Sequence, residues 1–190
     1  IVFIIGTSLG IISGYLGGWC DSIIMKITMI FQAFPSFILA VAIAGMLGPG
    51  IRNAIFSLIA MYWTTYARLA RSLVLKLKDE TYIQAARMCG AKQRHIILKY
   101  ILPNIIPPLI ITVSLDVGNV ILSMAGLSFL GLGAQPPLAE WGIMISNSRS
   151  YLQTAPWCIV FPSVALFTVV ILFNLLGDTI RDRLDSNGER

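Results

Sequence analysis

The sequence predicts an all-α polytopic membrane protein with five spans, and three observations predict it. Hydrophobic residues make up 56% of the 190-residue chain and charged residues only 12%, against about 25% charged in soluble domains. The mean hydropathy is +0.80; a soluble domain of this size has too much surface to cover with so few charges, whereas lipid removes the need for a polar exterior. The apolar residues fall in runs of roughly the 20 residues a helix needs to cross hydrocarbon. One mostly polar stretch, DETYIQAARMCGAKQRHIILKYILPN at 79–104, interrupts them.

The first run, about 1–17, carries Gly6, Gly10 and Gly14 at four-residue spacing, a face of small residues that lets another helix approach closely. Residue 1 reads as lying inside a span, so a piece is expected before it; the charged region and cleavage site of a signal peptide are not seen. The second span is expected from about Ser22 to Leu47, with Lys26 reaching back to the interface. The third runs from about Asn53 to Leu75, the fourth from about Pro103 to Leu132 and the fifth from about Trp157 to Leu176. Pro103, Pro107 and Pro108 predict that the fourth span enters bent, as a gate or as a structural kink. The segment 133–156 holds Pro136 and Pro137, then places Trp141 and Ile145 on one helical face; it is either a short helix at the membrane surface or an ordinary loop. The tail DTIRDRLD, 178–185, spaces acids and bases as a solvated helix end does.

The net charge of +5 is unevenly placed. Arg68, Arg71, Lys76, Lys78, Arg87, Lys92, Arg94 and Lys99 surround the polar insert, and Arg181 and Arg183 lie in the tail, whereas the segments assigned outside hold Arg52 and Arg149. This bias puts the insert, residues 17–21 and the C-terminus in the cytoplasm and 46–52 and 133–156 outside. No nucleic-acid motif accompanies the charge, so no nucleic-acid partner is expected. Cys20, Cys89 and Cys158 fit no metal or disulfide spacing and read as small apolar residues. His95 stands alone among bases, and no metal or catalytic constellation is expected.

The insert reads as two short helices. Asp79 is a candidate N-cap, Gly90 a C-terminal stop, and AKQRHIILKYIL resumes the helix as far as Pro103. Ile83, Ala86 and Met88 against Gln84, Arg87 and Lys92 give an apolar and a polar face. Such a unit either offers a rigid knob, with Ala85 and Ala86 at its crest, to a partner, or rests its bases on anionic lipid.

The residues here go beyond pattern. QAARMCGAKQRHIILKYILP resembles the cytoplasmic loop signature of the inner-membrane permeases of binding-protein-dependent ABC importers: Glu-Ala-Ala, three residues, Gly, nine residues, Ile-x-Leu-Pro. Ala85, Ala86, Gly90, Leu102 and Pro103 match at the expected spacing, while Gln84 stands for the Glu and Tyr100 for the Ile. GYLGGWCDSIIMKI, FQAFPSFILAVAIAGMLGPGI, LSFLGLGAQPPLAEWGIMI and FNLLGDTIRDRLD are similar to the dipeptide, oligopeptide and nickel permease group, in particular its C-type subunit. The resemblance implies the transmembrane domain of a type I ABC importer over 1–190, with a sixth span before residue 1, in a bacterial or archaeal plasma membrane. It implies a loop, 78–102, that engages ATPase subunits through Gln84, Ala85, Ala86, Arg87, Gly90, Ala91, Leu102 and Pro103. It further implies a B-type permease partner, two ATP-binding subunits that carry ATP and Mg, and an extracytoplasmic solute-binding protein. This chain is expected to bind no cofactor, and it has no GxxxxGK[ST] phosphate loop.

Asp116 is the one acid expected well inside a span, so it should face protein or water. Asn119 and Ser123 share its helical face and Met124 flanks it. This face either lines the translocation path or forms a polar contact with the partner permease. The expected solute is a peptide or nickel or another metal chelate, with the outer segment leaning towards the nickel branch. The alternative is an ion-coupled secondary transporter without an ATPase, for which inverted repeats and several intramembrane charges would be expected.

Overall fold

The structure, a computed structural model, describes residues 1–186. It is helical throughout its regular elements, as the apolar runs require: in hydrocarbon a backbone must satisfy its own hydrogen bonds. The chain divides into two compact units, Ile1–Ala33 with Tyr62–Ile111, and Phe34–Met61 with Thr112–Arg190.

In the first unit, α1 (Val2–Leu16) packs on the C-terminal part of α4 (Ile51–Leu77) through its glycine stripe. A Cβ at Gly6 would lie 2.5 Å from the Trp63 carbonyl and 2.7 Å from Tyr66 Cβ. At Gly10 it would meet the Ala67 carbonyl and lie 2.7 Å from Ala70 Cβ, and at Gly14 it would be 2.9 Å from Val74 Cβ. Tyr66, Ala67, Ala70 and Val74 are buried accordingly. Edge-on contacts between Phe3 and Tyr66 and between Phe31 and Trp63, both at 5.9 Å, extend this interface. Phe31 belongs to α2 (Gly18–Gln32), and Gln32 at its end donates to the Thr64 hydroxyl at 3.3 Å.

The second unit contains α3 (Ser36–Leu47), the first part of α4, most of α7 (Leu102–Phe129), α8 (Trp141–Asn147) and α9 (Trp157–Ser186). The Asn53 amide donates to the carbonyls of Leu47 and Gly48, both at 2.9 Å, and so closes the end of α3. α7 stops at Gly131, whose φ of 80° lets Leu132 N–H reach the Leu127 carbonyl and Gly131 N–H reach Ser128; this double bond is the Schellman ending of a helix. α8 starts on Glu140, whose carboxylate accepts from Ile143 N–H at 3.2 Å, and a turn of 3-10 helix, Ser148–Tyr151, follows it. Segment 133–156 therefore contains a short helix.

Among the described residues, two helices are long and apolar enough to cross a membrane, Gln93–Phe129 and Trp157–Arg183. The expected second span is not one helix. It is broken between Gln32 and Ser36, where Pro35 lacks the N–H that would continue α2, and α2 and α3 count as a third span only when taken as a broken pair. The expected third span is a 27-residue helix, α4, which does not belong to that apolar set; Arg52, Arg68, Arg71 and Lys76 lie along it. The fourth begins earlier than Pro103, because its helix is continuous from Gln93. The fifth runs beyond Leu176, to Ser186. The charge pattern expected over 178–185 falls, at its far end, outside the described side chains.

Candidate functional site

The polar insert folds as α5 (Thr81–Met88), then α6 (Gln93–Ile96), with Gly90 between them. The N-cap of α5 is Glu80 and not the expected Asp79; its side chain makes no capping bond, and the Asp79 carbonyl accepts instead from the Gln84 amide at 2.9 Å. Gly90 does stop the helix, and its mechanism is visible. Its φ is 79°, a conformation costly for residues with a Cβ, and it lets Gly90 N–H bond the Arg87 carbonyl and Ala91 N–H the Ala86 carbonyl, both at 3.0 Å. Ile83 is fully buried and anchors α5 to its unit, whereas Gln84, Ala85, Arg87 and Gly90 are exposed and Ala86 and Ala91 half-buried. Met88, 90% exposed, projects beside them.

Pro103 does not end the second helix. Residues Ile97–Ile101 form a π-helical turn that leads directly into α7, with Leu102 and Pro103 its first residues. A proline inside an α-helix clashes with the carbonyl four residues back and leaves it without a donor; the wider turn upstream relieves that crowding. The Asn104 amide meanwhile donates to the Tyr100 carbonyl at 2.6 Å. Leu102 is half-buried and Pro103 exposed. Tyr100, in place of the signature's Ile, contacts His95 at 5.9 Å and Tyr82 of α5 at 6.4 Å between ring centroids, so it ties the two loop helices together.

Two features of the same unit escaped sequence reasoning. The Arg87 guanidinium lies over the Tyr15 ring, 5.5 Å from its centroid, beside a cavity of about 330 Å³ that Tyr15, Arg87, Ala91, Gln93 and Ile96 line. Asp21, in the first turn of α2, pairs with Arg71 of α4 through Nε–Oδ1 at 2.5 Å and Nη2–Oδ2 at 2.6 Å, and the buried Ser13 hydroxyl also donates to Asp21. A signal for this pair existed: Asp21 is the one acid before Asp79.

The expected path residues all lie on α7 in the second unit. Asp116, Ser123 and Met124 are half-buried and Asn119 is exposed. Ser123 lines a cavity of about 470 Å³ with Phe37, Gly126, Phe129, Ile145 and Leu166; Asp116, Asn119 and Met124 do not line it. Its walls are apolar apart from Ser123. α8 closes one side of this region: a Cβ on Gly142 would collide with the Ala125 carbonyl, Ser146 donates to the Phe129 carbonyl at 2.8 Å, and the Arg149 guanidinium stacks 3.9 Å over the Phe129 ring. Among the described residues no group of three or more His, Cys, Asp and Glu could hold a metal ion.

Comparison with known proteins adds to this geometry. The family described as binding-protein-dependent transport system inner membrane component matches residues 6–187. The chain is 46% identical over 182 residues to the dipeptide transport system permease protein DppC of Alkalihalophilus pseudofirmus, covering 96% of this chain and 60% of that one. It is 44% identical to the glutathione transport system permease protein GsiD of Pectobacterium atrosepticum, covering 95% and 60%. With the nickel transport system permease protein NikC of Escherichia coli it shares 39% identity, covering 97% and 67%. The chain thus spans about three fifths of the length of the first two relatives. A solved structure of the MetNI methionine ABC transporter has the same fold, with a TM-score of 0.77 at 21% identity over 96% of this chain and 87% of that one.

Proposed function

The chain belongs to the family of binding-protein-dependent transport system inner membrane components, and from that premise we propose that it is a permease subunit of an ATP-driven importer. In this reading it forms half of a translocation path, with a second permease subunit forming the other half. An extracytoplasmic binding protein delivers the solute, and two ATPase subunits, which carry the ATP and Mg, dock on the 79–103 loop. The chain itself does no chemistry and holds no cofactor.

One observation carries the reading. The loop presents a short helix, α5, closed by the Gly90 motif, and its second helix continues without interruption from Gln93 to Phe129. A partner docked on this loop therefore engages a helix that is continuous with a membrane span. Of the two crest residues Ala85 is exposed and Ala86 half-buried, and Gln84, Arg87 and Gly90 beside them are exposed and open to a docked partner. The basic residues of the loop favour its placement in the cytoplasm, with the C-terminus on the same side.

The relatives named for dipeptide and glutathione are 46% and 44% identical and the nickel relative 39%, so a short peptide is the solute class to test first, ahead of the nickel chelate towards which the outer segment leaned. Asp116, Asn119, Ser123 and Met124 are assigned to the path side of α7, and segment 133–156 to the outer mouth.

The test reconstitutes the full-length subunit with its partner subunits in proteoliposomes and measures peptide uptake and solute-stimulated ATPase, with and without Gly90→Pro. Proline adopts neither the positive φ nor the N–H bond found at Gly90. Loss of both activities in complexes that still assemble is the expected result. Fully coupled uptake by the variant would remove the loop from the mechanism, and uptake independent of ATP would make the protein a secondary transporter.

A further inference from the structure

We propose that Tyr15 is a positioning residue for the loop, the seat against which Arg87 holds α5, and that the Ser13–Asp21–Arg71 cluster keeps this seat in place. The inference rests on the reading of 79–103 as the coupling element and adds the contact that joins it to helices outside the loop. All five residues belong to the first unit.

Three independent observations converge on Tyr15. Arg87, in the last turn of α5, lies 5.5 Å from the Tyr15 ring centroid, inside the about 6 Å over which a guanidinium is attracted by the negative face of an aromatic ring. The backbone beneath Tyr15 is held against α4, since Gly14 leaves no room for a Cβ against Val74 or the Arg71 carbonyl. Two residues before Tyr15, the fully buried Ser13 hydroxyl donates to Asp21, which forms the two-bond pair with Arg71. Paired planar groups of this kind fix orientation as well as distance. The end of α1, the start of α2 and the C-terminal part of α4 are thus locked together beside the ring.

The loop meets this locked corner without filling it. The cavity of about 330 Å³ beside Arg87 and Tyr15 leaves α5 in touch with α1 here through a charge-to-ring contact instead of interdigitated apolar side chains. Such a contact is directional and reversible, and it depends on the ring face rather than on side-chain volume. The distinction separates a positioning role from a merely structural one. Leucine at position 15 keeps apolar bulk and removes the ring face; phenylalanine keeps the ring and removes the hydroxyl.

The experiment uses the full complex in proteoliposomes and reads solute moved per ATP hydrolysed, scored on preparations that retain the ATPase subunits. Tyr15→Leu is expected to lower that ratio about fivefold, the size of a partly shielded cation–π contact, and Tyr15→Phe to restore it. Asp21→Asn, which leaves the ring intact and loosens its support, is expected to fall between them. If Tyr15→Leu transports with the wild-type ratio, or Phe is no better than Leu, the seat is refuted. Should Tyr15→Leu fail to assemble, Arg87→Leu tests the same contact from the loop side, and a wild-type ratio in that variant refutes the seat equally. A wild-type complex whose ATPase does not respond to solute would instead overturn the coupling reading beneath the inference. Coupled wild-type together with coupled Tyr15→Leu overturns the seat alone.

Discussion

The amide of Ala91 donates to the carbonyl of Ala86 at 3.0 Å, across a glycine held at a φ of 79°. A Cβ on Gly90 would meet nothing within 4 Å, so the cost of a side chain there is conformational and not steric. Gly90→Ala should therefore weaken the end of α5 by about 1 kcal/mol, and Gly90→Asn by less, because asparagine tolerates the left-handed region. Hydrogen exchange of the Gly90 and Ala91 amides checks this: faster in the alanine variant, near wild-type in the asparagine variant.

The glycine stripe of α1 behaves oppositely. Gly10→Ala forces a methyl group onto the Ala67 carbonyl and Ala70 Cβ, an overpacking expected to cost about 1–3 kcal/mol. Gly45→Ala, inside α3 with open space around the added methyl group, should instead be neutral or gain up to about 1 kcal/mol of helix propensity. Thermal unfolding in detergent should move down for the first and hold or rise for the second.

The Asp21–Arg71 pair predicts a non-additive cycle. Removing Asp21 alone leaves a half-buried guanidinium without its partner, whereas removing both charges leaves nothing to satisfy. Asp21→Ala should thus be more destabilising than Asp21→Ala with Arg71→Met, with a coupling of about 0.5–3 kcal/mol. Arg71→Lys should recover part of it, since a lysine ammonium makes a point contact where arginine makes two parallel bonds. Thermal unfolding of the four proteins in nanodiscs gives the cycle.

In the second unit, Gly142→Val should push α8 away from α7, because even a Cβ collides with the Ala125 carbonyl. The Ser146 bond to Phe129 and the stacking of Arg149 on its ring depend on that approach. Trypsin should then cut after Arg149 faster than in wild-type protein, and intact cells treated from outside should show the same difference if 133–156 faces outward.

The helices were legible because a long apolar run in lipid has few other solutions, and Gly90 was legible because a glycine after good helix formers marks a stop. Pro35 was the visible sign of the break between α2 and α3, but the apolar run on both sides hid it. Glu80 and not Asp79 holds the cap position, while the Asp79 carbonyl accepts from Gln84, a choice between neighbours that composition does not decide. The glycine stripe announced a close neighbour without saying that it was α4. Tyr15 beneath Arg87 was invisible for the same reason: the two lie far apart in sequence, on α1 and α5, and no local pattern marks Tyr15. Ser123 could be placed on a face with Asp116 and Asn119, yet the cavity it lines is shaped by Phe37, Ile145 and Leu166 from three other elements.

The π-helical turn at Ile97–Ile101 has one more consequence. Over residues 93–111 the fully buried side chains are Ile96, Ile101, Ile105 and Leu109: a step of five across the turn, then steps of four. In an uninterrupted α-helix a step of five would advance the side chain by about 140° and carry Ile96 out of line with the others. The wide turn absorbs the surplus residue and keeps the stripe in phase. Deleting one residue between Ile97 and Tyr100 should accordingly yield an ordinary α-helix with the same buried edge, so chains that differ here by a single residue can share one three-dimensional frame. Aligned without a gap, their loop residues would be compared one position out of register.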